Sequence, residues 1–133
     1  MKNAESEKII SGSKIGKKYA SLENCEIEIP GPFCLVIFGA SGDLARRKIM
    51  PALYRLERDK LVPEDFVVLG AARTKMNHSA FRELMREEVK EAFPGEFDSS
   101  VWSNISRRLF YAQVDYDQKN SFKGLKKKLI ALE

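Results

Sequence analysis

Histidine is nearly absent from this 133-residue chain: His78 is the only one. Cysteine is scarce as well, with Cys25 and Cys34 alone and no C-x-x-C. The ligand spacing of a zinc or iron site is therefore missing, and no metal is expected. Two reduced thiols, one of them inside an apolar run, point to a cytoplasmic protein rather than a disulfide scaffold. No apolar run approaches the ~20 residues of a membrane span, and the N-terminus has no apolar signal-peptide core. An excess of one charge is also lacking. Lys plus Arg number 23 against 19 Asp plus Glu, a net charge of +4. Such mild basicity suits any anionic ligand, nucleic acid included, and discriminates little among them. With 44% hydrophobic and 32% charged residues, the composition is that of a soluble globular protein, long enough for one modest domain.

What is there begins with a polar stretch. Residues 1–31 are rich in Lys, Ser and Glu and close on Pro30-Gly31-Pro32. They read as a flexible leader with a short extended piece around Cys25–Ile29. Lys14, Lys17 and Lys18 belong to a solvated tail. From residue 32 to 133, apolar runs alternate with amphipathic stretches. Cys34–Phe38 is a continuous apolar run, as in a parallel strand buried on both faces. A helix follows, with Ile49, Ala52, Leu53, Tyr54 and Leu56 toward the sheet. Pro51 is out of place inside it, so Leu44–Met50 is expected to be an irregular or tighter segment. Phe66–Leu69 is the second strand. Asn77 then caps a helix carrying Phe81, Leu84, Met85, Val89 and Phe93, and Pro94-Gly95 stops it. Asp98 caps a short helix with Val101, Trp102 and Ile105 inward. Leu109–Val114 is the third strand. A last helix from about Asn120 turns Phe122, Leu125, Leu129 and Leu132 inward and Lys123, Lys126, Lys127 and Lys128 to solvent. The lysine row reads as a solvated face, so no nucleic-acid partner is expected.

These elements predict an α/β fold: a doubly wound, Rossmann-type parallel sheet, incomplete, with its three strands in spatial order 3-2-1. The first strand ends on Gly39-Ala40-Ser41-Gly42-Asp43-Leu44-Ala45-Arg46. Strand, glycine turn and helix open a dinucleotide-binding unit. Gly39 permits a tight turn at positive φ. Gly42 leaves room for a pyrophosphate, and Ala45 is small where helix and strand pack. The helix N-terminus offers unpaired N–H groups to phosphate. The spacing is G-x-x-G-x-x-A rather than G-x-G-x-x-G, and a turn that needs two glycines and binds nothing would look much the same. A Walker A loop is excluded, because Asp43-Leu44 stand where Lys-Ser/Thr would be needed.

Arg73 is the second feature. NAD-binding folds place an acid at the tip of strand two, where it accepts the ribose 2′-hydroxyl. An arginine there pairs instead with the 2′-phosphate of NADP. Gly70-Ala71-Ala72-Arg73-Thr74 contains no acid, so NADP is the expected cofactor, with Thr74 as a further hydroxyl.

Residues 39–54, Gly-Ala-Ser-Gly-Asp-Leu-Ala-Arg-Arg-Lys-Ile-Met-Pro-Ala-Leu-Tyr, resemble the cofactor loop of the glucose-6-phosphate dehydrogenase family. The resemblance covers about residues 33–133. It implies an NADP-linked oxidoreductase of the pentose phosphate pathway that carries hydride from C1 of glucose 6-phosphate to NADP. It places Asp43 and Leu44 in the cofactor loop and agrees with Arg73. It also carries over Asp115 and Tyr116 after strand three as cofactor neighbours. No catalytic residue is assigned. The family's Arg-Ile-Asp-His-Tyr-Leu-Gly-Lys-Glu and Glu-Lys-Pro motifs do not occur, and His78 lies at the wrong end of the sheet. The resemblance therefore implies a truncated cofactor domain, inactive alone, with the sugar-phosphate site outside this chain and a homo-oligomer for the longer protein. Two alternatives stand beside it: a non-catalytic Rossmann module, and a fragment of another NADP-linked dehydrogenase. The short-chain type is disfavoured because no Tyr-x-x-x-Lys occurs.

Overall fold

A computed structural model describes residues 9–14, 17–22 and 25–132, with side chains from Glu28 onward. Strands β1 (Ile9–Lys14), β2 (Lys17–Leu22) and β3 (Cys25–Ile29) pair antiparallel in that order. Tyr19 lies opposite Glu28 and Leu22 opposite Cys25. Apolar and acidic residues alternate from Cys25 to Ile29, which is the two-residue period of a strand. Within the leader expected over residues 1–31, residues 9–14, 17–22 and 25–29 are strand, so the extended piece at Cys25–Ile29 is one of three, and Pro30 and Gly31 are not in a strand. Residues 1–8, 15, 16, 23 and 24 lie outside the described residues.

The second sheet holds β4 (Cys34–Phe38), β5 (Val67–Ala72) and β6 (Leu109–Gln113), parallel, in the order β4-β5-β6. This is the expected 3-2-1 arrangement with strand two in the middle. Between the strands lie α1 (Met50–Arg58), α2 (His78–Ala92) and α3 (Ser99–Ser106), and α4 (Lys119–Leu132) follows β6. On one face Ile37, Val68 and Ala72 pack with Leu53 and Tyr54 of α1, Phe81, Met85 and Val89 of α2, and Trp102 and Ile105 of α3. On the other, Leu69, Ala71, Ala112 and Val114 meet Leu125 of α4. Helices on both faces make the sheet doubly wound. Both expected caps are present: Asn77 accepts from Ala80 N–H at 2.7 Å and Asp98 from Ser100 N–H at 2.8 Å.

Several expectations require correction. β4 is not buried on both faces. Only Ile37 is buried, and Phe38 is 58% exposed. β4 is an edge strand, and α4 covers the sheet over β5 and β6 instead. The segment before Pro51 is irregular, as one half of the expectation had it, but wider than an α-helix rather than tighter. Ala45–Ile49 is a π-helical turn in which Met50 N–H reaches Ala45 O. The wide turn spares Pro51 the clash it would have in an α-helix interior. The buried face of α1 also differs from the expected one. Met50, Pro51, Leu53 and Tyr54 are buried, while Ala52 and Leu56 face solvent. In α4, Phe122 is 40% exposed rather than inward.

Lys123, Lys126, Lys127 and Lys128 are all exposed, as expected, and Lys128 also reaches the sheet. Its Nζ donates to Tyr111 O at 3.0 Å. Arg82 Nε donates to Leu109 O at 2.8 Å, and Tyr111 N–H donates to His78 Nδ1 at 2.9 Å. Side chains thus satisfy backbone groups on the outer edge of β6, one way of closing a sheet edge.

Candidate functional site

β4 and β5 end side by side, and the glycine turn begins there. Gly39 has φ +70°, a left-handed conformation that glycine adopts without steric cost. Its N–H donates to Ala71 O at 2.8 Å, and Ala40 N–H donates to the same carbonyl at 3.2 Å. The turn is therefore fastened to β5. Gly42 N–H closes it onto Gly39 O at 2.9 Å. A Cβ on Gly42 would stand 3.2 Å from Gly39 O. The helix opens after Gly42, which has no side chain to cap it, and Arg46 N–H bonds back to Gly42 O at 3.1 Å, so the N–H groups before Arg46 remain open to a ligand.

Ser41 and Thr74 join the glycine turn to the tip of β5, their hydroxyls 2.9 Å apart. Arg73 stands beside Thr74. Its guanidinium lies 5.5 Å from the centre of the Tyr116 ring and 3.5 Å from an oxygen of Asp117. That pair is exposed, with Arg73 at 64% and Asp117 at 83%, and such a pair holds weakly against a competing anion. No acid sits on the β5 tip itself. The hydroxyl of Tyr111, buried in the core, lies against the carbonyls of Ala72 and Thr74 from below. Burial raises its pKa, with Tyr116 adding to the shift, so it remains a neutral donor.

Of the residues singled out in the sequence, Gly39, Ala40, Ser41, Gly42, Arg73 and Tyr116 meet at the ends of β4 and β5. Asp43 and Leu44 are exposed at the mouth of the turn, Asp43 facing Arg47 at 3.9 Å. Ala45 is buried beneath it. Arg46 does not join them, because its guanidinium is ion-paired with Glu88 of α2. Asp115 turns inward on its own loop and accepts Asp117 N–H at 3.0 Å. Two contributors escaped the sequence reading. Asp117 was invisible as a partner of Arg73. Gly70 was seen only as part of a strand end. A Cβ there would lie 2.7 Å from Phe81 Cζ and 2.8 Å from Ala40 Cβ, so its glycine lets α2 and the glycine turn close on the same strand. A glycine within an apolar strand run was the available signal.

His78 is remote from this crevice in function. Its Nδ1 accepts the Tyr111 N–H, which requires the neutral ring. Its pKa is lowered, by burial first and then by Lys128 of α4 and Arg82 of α2. The unfolded chain therefore takes up the proton first. This contribution to stability is complete above the unfolded value of about 6.5 and is lost as pH falls from there through the lowered folded value. Denaturant midpoints measured at pH 7.5 and 5.5 should drop more for the native chain than for His78→Asn. Equal drops would show that the imidazole does not titrate against this bond.

Two grooves lie elsewhere. One, of 520 Å³, is lined by Glu57, Lys60, Glu64, Arg107 and Arg108 among others, and one of 550 Å³ by Arg46, Arg47, Glu88 and Glu91. Both mix charge and neither presents a field of one sign. Among the described residues, no helix is long and apolar enough to cross a membrane.

A parallel strand, a glycine turn fastened to its neighbour, an uncapped helix N-terminus and an arginine at the second strand tip define a dinucleotide-binding domain. Comparison with known proteins agrees. The family model "Glucose-6-phosphate dehydrogenase, NAD binding domain" matches residues 36–133. Glucose-6-phosphate 1-dehydrogenase of Chlamydia pneumoniae is 39% identical over 102 residues, 77% of this chain and 20% of the relative. The crystal structure of glucose-6-phosphate 1-dehydrogenase from Mycobacterium avium superposes with a TM-score of 0.65 at 33% identity, over 71% of this chain and 21% of that one. A structure of glucose-6-phosphate dehydrogenase in complex with its substrate glucose-6-phosphate gives 0.67 at 31% identity, over 75% and 20%. The chain belongs to the glucose-6-phosphate dehydrogenase family and corresponds to its nicotinamide-dinucleotide-binding domain. It spans about a fifth of the length of the relatives it matches.

Proposed function

We propose that this chain is the NADP-binding portion of an oxidoreductase that transfers hydride from C1 of glucose 6-phosphate to NADP, giving 6-phosphogluconolactone. The observation that carries the cofactor choice is the β5 tip. Arg73, Thr74 and, across the crevice, Ser41 offer a guanidinium and two hydroxyls, with no acid on the tip to accept a ribose hydroxyl. A dianionic 2′-phosphate suits that donor set and a neutral 2′-hydroxyl uses little of it. Bound, the cofactor supplies the hydride acceptor. The chain's own residues bind and orient its adenosine end. Open N–H groups after Gly42 receive the pyrophosphate, and Gly42 gives it access to the backbone. Asp43 and Leu44 shape the loop rather than do chemistry, and Ala45 lets helix and strand close. The residues of the crevice itself supply no base for the sugar hydroxyl. The sugar-phosphate site is assigned to the longer protein, which we read as a cytoplasmic homo-oligomer without nucleic-acid or membrane partners.

Equilibrium titration of the chain with NADP and with NAD tests this reading. Gly42→Val should abolish binding of both, because the branched side chain fills the approach to the turn and crowds Gly39 O. A folded Gly42→Val chain that binds both cofactors normally would place the phosphates elsewhere.

A further inference from the structure

We propose that Tyr116 is a positioning residue that holds the glycine turn and Arg73 in one arrangement, its hydroxyl acting on the turn and its ring on the arginine. The proposal rests on the dinucleotide reading above and adds a division of labour within one side chain. Tyr116 follows β6, two strands away from β4. Its side chain crosses β5, and with strands spaced about 4.8 Å apart, few residues have the reach. Its hydroxyl accepts Gly39 N–H at 3.0 Å and donates to Ala71 O at 3.2 Å. Ala71 O already receives Gly39 N–H and Ala40 N–H. The phenol thus closes a knot in which the first residue of the turn, the carbonyl beneath it and the tip of β6 are tied together. Gly39 holds a positive φ, so the knot fixes a conformation that a free glycine would share with many others.

The ring does separate work. Phe38 and Phe122 flank it with centroids at 6.3 and 6.4 Å, and Arg73 lies over it at 5.5 Å. A cation above an aromatic face is held in place without using up its N–H donors. Those donors remain available to a phosphate. Asp117 accepts one of them in this structure and is the group that a phosphate would replace.

The two halves predict different losses. Tyr116→Phe keeps the ring and removes the hydroxyl's two bonds, leaving the turn held by the backbone bonds to Ala71 O alone. Binding must then restrict a looser turn. Affinity for NADP and for NAD should fall by the same factor, about two- to tenfold, with their ratio unchanged. Amide exchange across residues 39–42 should quicken. Tyr116→Leu removes the ring as well, and the NADP-to-NAD affinity ratio should then fall about two- to fivefold. Titration of both cofactors with both variants, amide hydrogen exchange and thermal melts on the purified chain decide it. A lower melting temperature with unchanged constants and unchanged exchange would overturn the proposal in favour of a merely structural tyrosine. A Tyr116→Leu chain with an unchanged ratio would overturn the role of the ring. A native chain that binds neither cofactor would instead overturn the dinucleotide reading, and the exchange comparison would still decide the role of the hydroxyl.

Discussion

Purified by itself, the 133-residue chain is expected to leave NADP unreduced in the presence of glucose 6-phosphate. Hydride transfer needs the sugar carbon held against the nicotinamide and a base for the hydroxyl proton. Orientation supplies ~7–11 kcal/mol of barrier reduction, and a positioned base a further ~10²–10⁴-fold. Histidine is the most common such base, and the chain has one. His78 is engaged at the edge of β6 as an acceptor for Tyr111 N–H, with its pKa lowered, not at the glycine turn. Of the carboxylates near the crevice, Asp43 faces Arg47 and Asp117 faces Arg73 in exposed pairs, and Asp115 accepts Asp117 N–H. A sustained rise in NADPH absorbance with substrate, abolished when substrate is omitted, would overturn this expectation. His78→Asn would then be the first variant to assay. Exposed β4, with Phe38 at its end, adds an expected tendency to associate through the open edge.

Arg73→Ala should cost most of the preference for NADP and leave NAD binding nearly unchanged. A charge-assisted hydrogen bond contributes about 1.5–3 kcal/mol, or roughly 10- to 150-fold in affinity. The side chain is 64% exposed, and solvent screening puts the loss toward the lower end of that range. Arg73→Lys should fall between, because an ammonium keeps the charge but not the planar fork or the stack on Tyr116. Paired calorimetric titrations with NADP and NAD measure the ratio directly. Equal loss for both cofactors would move the arginine from the 2′-phosphate to the pyrophosphate or to the fold.

Local chemistry made much of this protein legible in its sequence. Apolar runs marked the three parallel strands, Asn77 and Asp98 announced their helices, and Gly39 announced a turn at positive φ. Asn77 and Asp98 accept from the backbone N–H groups of Ala80 and Ser100, as their places in the sequence imply. Each of these signals acts within a few residues of where it is written. Period and capping also placed Trp102 in the core rather than at a ligand.

Other features depended on which elements come to lie side by side, and only the tertiary structure decided them. Arg46 looked like part of the phosphate loop, yet Glu88, 42 residues on, takes its guanidinium. Lys128 is exposed like its neighbours, yet its Nζ reaches the carbonyl of Tyr111 at the edge of β6, a contact its place in the lysine row does not show. The segment before Pro51 is a π-helical turn, and α1 buries Met50, Pro51, Leu53 and Tyr54 while leaving Ala52 and Leu56 to solvent. The 3-2-1 order already made β4 an edge, but only the packing showed that α4 covers β5 and β6 and leaves Phe38 exposed. Tyr116 reaches Gly39 across 77 residues of sequence. Periodicity and propensity act over one turn or one strand; the pairing of a charge, a hydroxyl or an open strand edge is settled by packing between elements far apart in the chain.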